Sequence, residues 1–318
     1  GNKLFSKKLD CTYLLCSANY YYKNDLYEPK GFINYKKDKY GFRGLKKDIG
    51  KIDILTVGGS TTDERYLKIE DTWSEQLEKK INNAYPNINF EVVNAGIDGQ
   101  STYGHIWNFE NWFPKLKDFK TKYIFFYIGL NEYFSEEKKL SDQGSLNLNN
   151  LKKIKYWFKN NNGIIYKSYY LVYRKLYLKD VLNVGHKLRK NEKKIVKKPY
   201  VINDENIKQL NLRLDKLIEL TKEINAIPVF ITQRTLRHKI INNEIYSIDD
   251  INYYSKEKKY AEIIINNCNK NEIFCIDLFN NLKFTKNSLY DLVHASPKGA
   301  NIIANKIFDE FNFILNEG

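Results

Sequence analysis

Five short apolar runs, each followed by a stretch of helical periodicity, confine this chain to architectures in which strands and helices alternate. The first run is Ile52-Asp53-Ile54-Leu55-Thr56-Val57, which ends on Gly58 and Gly59. A helix follows over about Thr72 to Ala84, where Trp73, Leu77 and Ile81 recur at the four-residue spacing of one buried face. Phe90 to Asn94 reads as the second strand, and Trp107, Trp112 and Phe113 belong to a second helix closed by Pro114. Tyr123 to Ile128 is apolar throughout, as a central parallel strand buried on both faces should be. A helix from about Glu205 to Asn225, carrying Leu210, Leu214, Leu217 and Ile218, leads into a strand over Pro228 to Thr232. Another helix, across Tyr260 to Asn267, leads into Glu272 to Asp277, and Pro297 opens the closing helix at its favoured first turn. The expected fold is α/β, a three-layer α/β/α sandwich around a central, mostly parallel five-stranded sheet with right-handed crossovers. No internal repeat points to a solenoid instead.

A parallel sheet gathers the carboxyl ends of its strands along one edge, so residues that follow different strands converge there. Gly58-Gly59-Ser60-Thr61-Thr62 follows the first strand, Asn94-Ala95-Gly96-Ile97-Asp98-Gly99 the second, and Gly129-Leu130-Asn131-Glu132 the third. Near the end of the chain stands Asp291-Leu292-Val293-His294. An imidazole three residues after a carboxylate can take a serine proton on one nitrogen while the carboxylate orients the other. The Gly96 and Asn131 islands can each supply a donor to an oxyanion. Taken singly, each motif has a duller reading: the glycines and serine as a turn or phosphate loop, Gly96 and Gly99 as backbone geometry, Asn131 as a helix cap, Asp291-x-x-His294 as a surface turn. Four such accidents in one chain, three of them at strand ends, are the weaker account. None of His105, His186 and His238 has a carboxylate at a comparable offset. Thr61 beside the serine, and Gln233, Arg234 and His238 after the fourth strand, are candidate contacts to a polar or anionic substrate, with a solvated loop as the alternative for the latter three.

The order Ser, Gly, Asn and then Asp-x-x-His resembles that of the SGNH (GDSL-type) hydrolases, over roughly Lys51 to the C-terminus apart from two inserted stretches. The resemblance implies a flavodoxin-like SGNH hydrolase fold, with Ser60 as nucleophile, His294 as base and Asp291 as its orienting acid. It implies an oxyanion hole built from the Ser60 N–H, the Gly96 N–H and the Asn131 side-chain amide, and no metal or cofactor. The first block departs from the family's Gly-Asp-Ser-Leu: Gly59 stands where the acid before the serine is usual. The expected activity is a serine carboxyl-ester hydrolase that removes a small acyl group, acetyl, from a carbohydrate or related polar substrate through an acyl-serine intermediate. With a sugar hydroxyl as acceptor the same machinery is an O-acyltransferase. A non-catalytic binding protein for an anionic polymer is the reading from another class. The Tyr40-Gly41-Phe42-Arg43-Gly44 lead-in is similar to that of bacterial SGNH proteins associated with cell-surface glycans, which favours a carbohydrate ester.

Charge bears on partners only through its location. The net charge is +14, and residues 151–200 hold fifteen Lys/Arg against two Asp/Glu, so the remainder is nearly neutral. A basic insertion is not a basic domain, and no nucleic-acid partner is expected. We therefore divide the chain into an N-terminal arm, 1–44, packed on the domain, and a hydrolase domain, 45–318, interrupted by a basic, mainly helical insertion at about 136–203. Within it Tyr166, Tyr169, Tyr170, Tyr173 and Tyr177 recur at helical spacing among Lys167, Arg174, Lys175 and Lys179. Such a helix packs its tyrosines on the domain, or covers the active edge, or rests against an anionic membrane surface or polymer. Cys11, Cys16, Cys268 and Cys275 lack metal-ligand spacing and read as free thiols, two of them in core elements, with a structural disulfide as the alternative. No apolar run reaches the ~20 residues of a membrane span. The chain reads as soluble; it opens on Gly1 and holds no Met, as expected of a trimmed form of a cell-envelope-associated bacterial protein. The compartment stays open.

Overall fold

All strands of the central sheet run parallel, as expected. β1 (Ile52–Gly58) pairs with β2 (Val92–Asn94) on one side and β3 (Thr121–Ile128) on the other; β4 (Ile227–Thr232) and then β5 (Cys275–Ile276) complete the order β5-β4-β3-β1-β2. Among the described residues the α-helices, in chain order, are α1 (Ser60–Asp63), α2 (Trp73–Ala84), α3 (Thr102–Asn111), α4 (Asp204–Glu223), α5 (Tyr253–Asn271), α6 (Leu278–Asn281) and α7 (Pro297–Glu317). This computed structural model describes residues 20–21, 32–33, 35–44, 48–132, 193–194, 202–236, 238–241, 244–247, 253–285, 288–290 and 292–317. Nearly all of the 136–203 insertion, with its tyrosine-rich stretch and the expected contact to a membrane or polymer through 151–200, lies outside the described residues, as does Asp291. No helix among the described residues is long and apolar enough to cross a membrane.

The composition of β3 explains the three layers. Successive strand residues point to opposite faces, so a run that is apolar at every position needs helices on both sides. Tyr123, Phe125 and Tyr127 join Leu77 and Ile81 of α2 and Ile303, Ile307 and Phe311 of α7 in one core. Ile124, Phe126 and Ile128 join Phe109 of α3, Leu210, Leu214 and Leu217 of α4, and Tyr260 and Ile264 of α5 in the other. Phe311 meets Tyr123 and Phe125 edge-on at 5.0 and 4.9 Å, contacts worth roughly 0.5–1.5 kcal/mol each beyond burial. The doubly wound return of α7 beside α2, expected from Pro297, places the chain's last loop over β1.

Several boundaries differ from the periodicity, each for a local reason. The second strand starts at Val92 rather than Phe90, because both backbone groups of Phe90 are taken by the Asn82 side chain of α2 at 2.8 and 2.9 Å. α3 ends at Asn111, and Pro114 lies within a separate 3-10 turn, Phe113–Lys115, rather than closing the helix. α5 is far longer than the apolar segment Tyr260–Asn267, and Glu272, at φ 52°, turns the chain so that only Cys275–Ile276 pairs with β4. The free-thiol reading of Cys268 and Cys275 is corrected: they form a disulfide across the α5–β5 turn, with their Cα atoms 6.2 Å apart. His238 is not in a loop; it opens a strand, His238–Ile241, in a small antiparallel sheet with Glu244–Ser247 and Lys193–Lys194.

Candidate active site

Ser60 is the first residue of α1, reached directly from β1 through Gly58 and Gly59. Both glycines are required by space. A Cβ on Gly58 would stand 2.1 Å from Thr62 Oγ1, and one on Gly59 would stand 2.3 Å from Asn131 Nδ2. The second value gives a physical reason for the missing acid before the serine, since the Asn131 carboxamide occupies that volume. The Asn131 amide in turn donates to the Gln100 carbonyl at 2.8 Å, which ties the β3 and β2 loops together beside Ser60.

The imidazole comes from the opposite end of the chain. His294 Nε2 lies 2.8 Å from Ser60 Oγ, across 234 positions of sequence. Its loop is closed by a Leu289–Ala295 bridge, by the Ser296 amide and hydroxyl donating to the Ser288 carbonyl at 2.9 and 3.0 Å, and by the Leu236 amide donating to the Leu292 carbonyl at 2.9 Å. Ser296 also accepts from the Gly299 amide at 3.2 Å, the capping expected of a serine before a first-turn proline. The Tyr290 ring lies nearly parallel to His294, 10° and 5.7 Å away, and Tyr66 meets Tyr290 edge-on.

Gly96 does not sit where the oxyanion reading put it. Its N–H donates to Asn94 Oδ1 at 2.9 Å, and a Cβ there would stand 2.4 Å from the Asp63 amide. Gly96 is buried where the loop backs onto α1. Gly99, in the same island, is exposed at φ 78° with nothing within 4 Å of a Cβ, and it adjoins Gln100, the partner of Asn131.

The residues read from the sequence as substrate contacts are placed as follows. Gln233 is buried, accepts from the Leu130 amide (2.6 Å) and donates to Thr61 Oγ1 (2.7 Å), so Thr61 and Gln233 are bonded to each other inside the fold. Arg234 donates to the Phe279 carbonyl at 2.8 Å, and partial burial pushes its guanidinium below its ordinary value. His238 has moved into the antiparallel sheet described above.

Two charged networks were not legible as such. Glu132, buried directly after Asn131, accepts from Thr102 N and Oγ1 at 2.8 Å each, at the N-terminus of α3, where a carboxylate is favoured. Arg213 reaches both, donating to Thr102 Oγ1 at 2.7 Å and lying 3.4 Å from Glu132 Oε2. The signal was present: an arginine among Leu210, Leu214 and Leu217 on the buried face of α4 demands a buried partner. Below α1, Arg43 donates to the Asp63 and Leu67 carbonyls, Tyr35 donates to Asp63 Oδ1 at 2.6 Å, and Lys37 donates to the Gly96 carbonyl at 2.8 Å. Burial pushes the Lys37 amine down and, with Asp63 beside it, the Tyr35 phenol up. Burial likewise pushes the Glu64 carboxyl well up, although it accepts from the Trp73 amide at 2.7 Å. His105 is a core residue, its imidazole pushed down to about 3 by burial.

The fold and this strand-edge arrangement define a class, an SGNH hydrolase-like α/β sandwich. Among solved structures the chain is similar to a mutant of an acetyl-xylooligosaccharide esterase from Geobacillus, with 14% identity, 85% of this chain and 97% of that one covered, and a TM-score of 0.50. It is also similar to a member of the lipolytic protein G-D-S-L family from Veillonella parvula, with 16% identity, 82% and 98% covered, and a TM-score of 0.43. No family model and no curated protein matches the chain.

Proposed function

We propose that the chain is a serine carboxyl-ester hydrolase that removes a small acyl group, acetyl, from a carbohydrate or related polar substrate. The observation that carries this reading is the 2.8 Å approach of His294 Nε2 to Ser60 Oγ. In the mechanism His294 takes the Ser60 proton as the hydroxyl attacks the ester carbonyl, and Asp291, three residues earlier in the chain, orients the ring and favours the imidazolium. The oxygen of each tetrahedral intermediate gains negative charge, which the Ser60 N–H and the Asn131 carboxamide stabilise; losing one such donor lowers turnover by about 10²–10³. The third donor in our reading is the exposed Gly99 N–H, in place of the buried Gly96 N–H. Collapse of the first intermediate expels the alcohol, which takes the proton from His294, and leaves an acyl-serine. Water, deprotonated by His294, then releases acetate.

The acetyl-sugar part of the reading draws on likeness to a neighbour described as an acetyl-xylooligosaccharide esterase. The test is turnover of p-nitrophenyl acetate and a panel of acetylated sugars by the purified protein, Ser60→Ala and His294→Ala. Each substitution should lower kcat by about 10⁴-fold or more. Unchanged turnover in both variants would reject the reading, and product analysis with and without a sugar acceptor separates hydrolysis from acyl transfer.

A further inference from the structure

The buried charge cluster beneath α1 takes no part in the mechanism above, yet every member of it ends on the two segments that must stay in register. We propose that Asp63 is a positioning residue, a carboxylate hub that holds the 96–99 loop against the nucleophile helix; this rests on the reading of Ser60 as nucleophile.

Asp63 closes α1, three residues after Ser60, and its side chain is 1% exposed. Two cations serve it and, with the same charged groups, the loop. Lys37 Nζ lies 3.7 Å from Asp63 Oδ1 and donates to the Gly96 carbonyl at 2.8 Å. Arg65 NH2 lies 3.6 Å from Asp63 Oδ2 and 2.6 Å from Asp98 Oδ2. Asp98 immediately precedes Gly99, so these two bridges run from the nucleophile's helix to Gly96 and Asp98, the two points of the loop that lead into the proposed donor. Arg43 completes the clamp: its guanidinium takes the Asp63 and Leu67 carbonyls while its own amide donates to the Asn94 carbonyl at 2.8 Å.

A buried carboxylate is retained only when its desolvation is offset, and three cations within one cluster would repel one another without it. Loss of the Asp63 charge removes the common partner of Lys37 and Arg65. Both can then shift toward water, and the two bridges that brace the loop against α1 slacken, leaving the hydrogen bond from the Ile97 amide to the Gly58 carbonyl, while Ser60 and His294 stay in place. The effect should fall on stabilisation of the oxyanion, not on substrate binding, because the loop's amide acts on charge that develops after binding.

The experiment compares wild type, Asp63→Asn, Arg65→Gln and Asp98→Asn on p-nitrophenyl acetate, with the competent serine counted by fluorophosphonate labelling. Rates are expressed per labelled serine, which removes any loss due to unfolded protein. Asp63→Asn should lower kcat about 10²-fold with KM within about threefold, and Asp98→Asn, at a side chain 47% exposed, should lower it about three- to tenfold. Arg65→Gln should fall between them. If Asp63→Asn does not fold, the other two variants decide on the same terms. Per-serine kcat within twofold of wild type in the folded variants, or a loss confined to KM or to the labelled fraction, overturns the proposal. Ser60→Ala run alongside separates the two readings. If it retains full turnover, the esterase assignment falls and takes this one with it; if it is inactive while the Asp63-cluster variants are normal, only the hub is wrong.

Discussion

Gly299→Ala tests whether the loop that carries His294 is set by contact with α7. A Cβ on Gly299 would stand 1.8 Å from the Ser288 carbonyl oxygen, where contacts below 3.0 Å are not tolerated, so loop or helix must move by ~1.2 Å. The helix is pinned by Ala300, Ile303, Ala304, Ile307 and Phe311, all buried in the core. The loop moves instead, and His294 lies on it between Leu289 and Ser296. Displaced by that amount, an Nε2 now 2.8 Å from Ser60 Oγ leaves hydrogen-bonding range. Misplacement of about 1 Å lowers a rate by roughly 10²-fold, and overpacking destabilises by about 1–3 kcal/mol. The expected outcome is a ~10²-fold fall in kcat for p-nitrophenyl acetate per labelled serine, with KM within a few-fold and unfolding still cooperative. A variant that keeps turnover within twofold of wild type would refute the reasoning that this loop's seat on Gly299 sets the imidazole.

Two further outcomes follow from groups outside the chemistry. The buried His105 imidazole is pushed down to about 3, against about 6.5 when unfolded, so on acidification the unfolded chain takes the proton first and stability falls between those values, by up to about 1.4 kcal/mol per pH unit. Urea unfolding at pH 7, 6 and 5 should show that slope reduced in His105→Leu; parallel curves for the two proteins would contradict it. Replacing Cys268 and Cys275 together by serine should lower stability by about 2 kcal/mol, given a sequence separation of 7, with kcat within about twofold because the pair lies at the β5 edge. Denaturant midpoints with and without reductant check it, and an unchanged midpoint on reduction would count against a stabilising crosslink.

The sheet was legible because its strands carry the signal of burial themselves. An unbroken apolar run such as Tyr123 to Ile128 has no other stable home than between two helix layers, and glycines mark where such runs stop. Edge strands were overestimated because their length depends on which backbone groups a neighbour takes: Asn82 removes Phe90 from β2, a competition that no local pattern displays. The pairing of Ser60 with His294 was readable as motif order. The choice between Gly96 and Gly99 was not, because a glycine kept for close approach and one kept for an exposed N–H look the same in sequence. Gly96 proves to be the first kind, backed onto α1. Thr61 and Gln233 carry a structural role that the sequence did not display. Polar residues at the active edge suggest substrate contact, yet here they satisfy each other and the Leu130 amide beneath the surface.

The residues that hold the site sit close in sequence to those proposed to act in it. Asp63 is three positions after Ser60, Glu132 follows Asn131, and Ser296 is two positions after His294. Each ties its neighbour's segment to a different part of the chain: Asp63 to residues 35–44 through Tyr35 and Lys37, Glu132 to α3 and α4 through Thr102 and Arg213, Ser296 to the Ser288 end of its own loop. Donors aimed at developing charge are effective only if they need not reorganise when it appears. A loop amide or carboxamide is mobile unless bonded on its far side, so a site assembled from four loops needs a tie for each. This accounts for the buried ionic residues, Asp63, Glu132 and Arg213, standing at the strand-end side of the sheet rather than deeper in it. It also implies that the polar residues flanking a proposed nucleophile or oxyanion donor in such a chain are to be read first as anchors, and as substrate contacts only when their side chains are shown to be unspent.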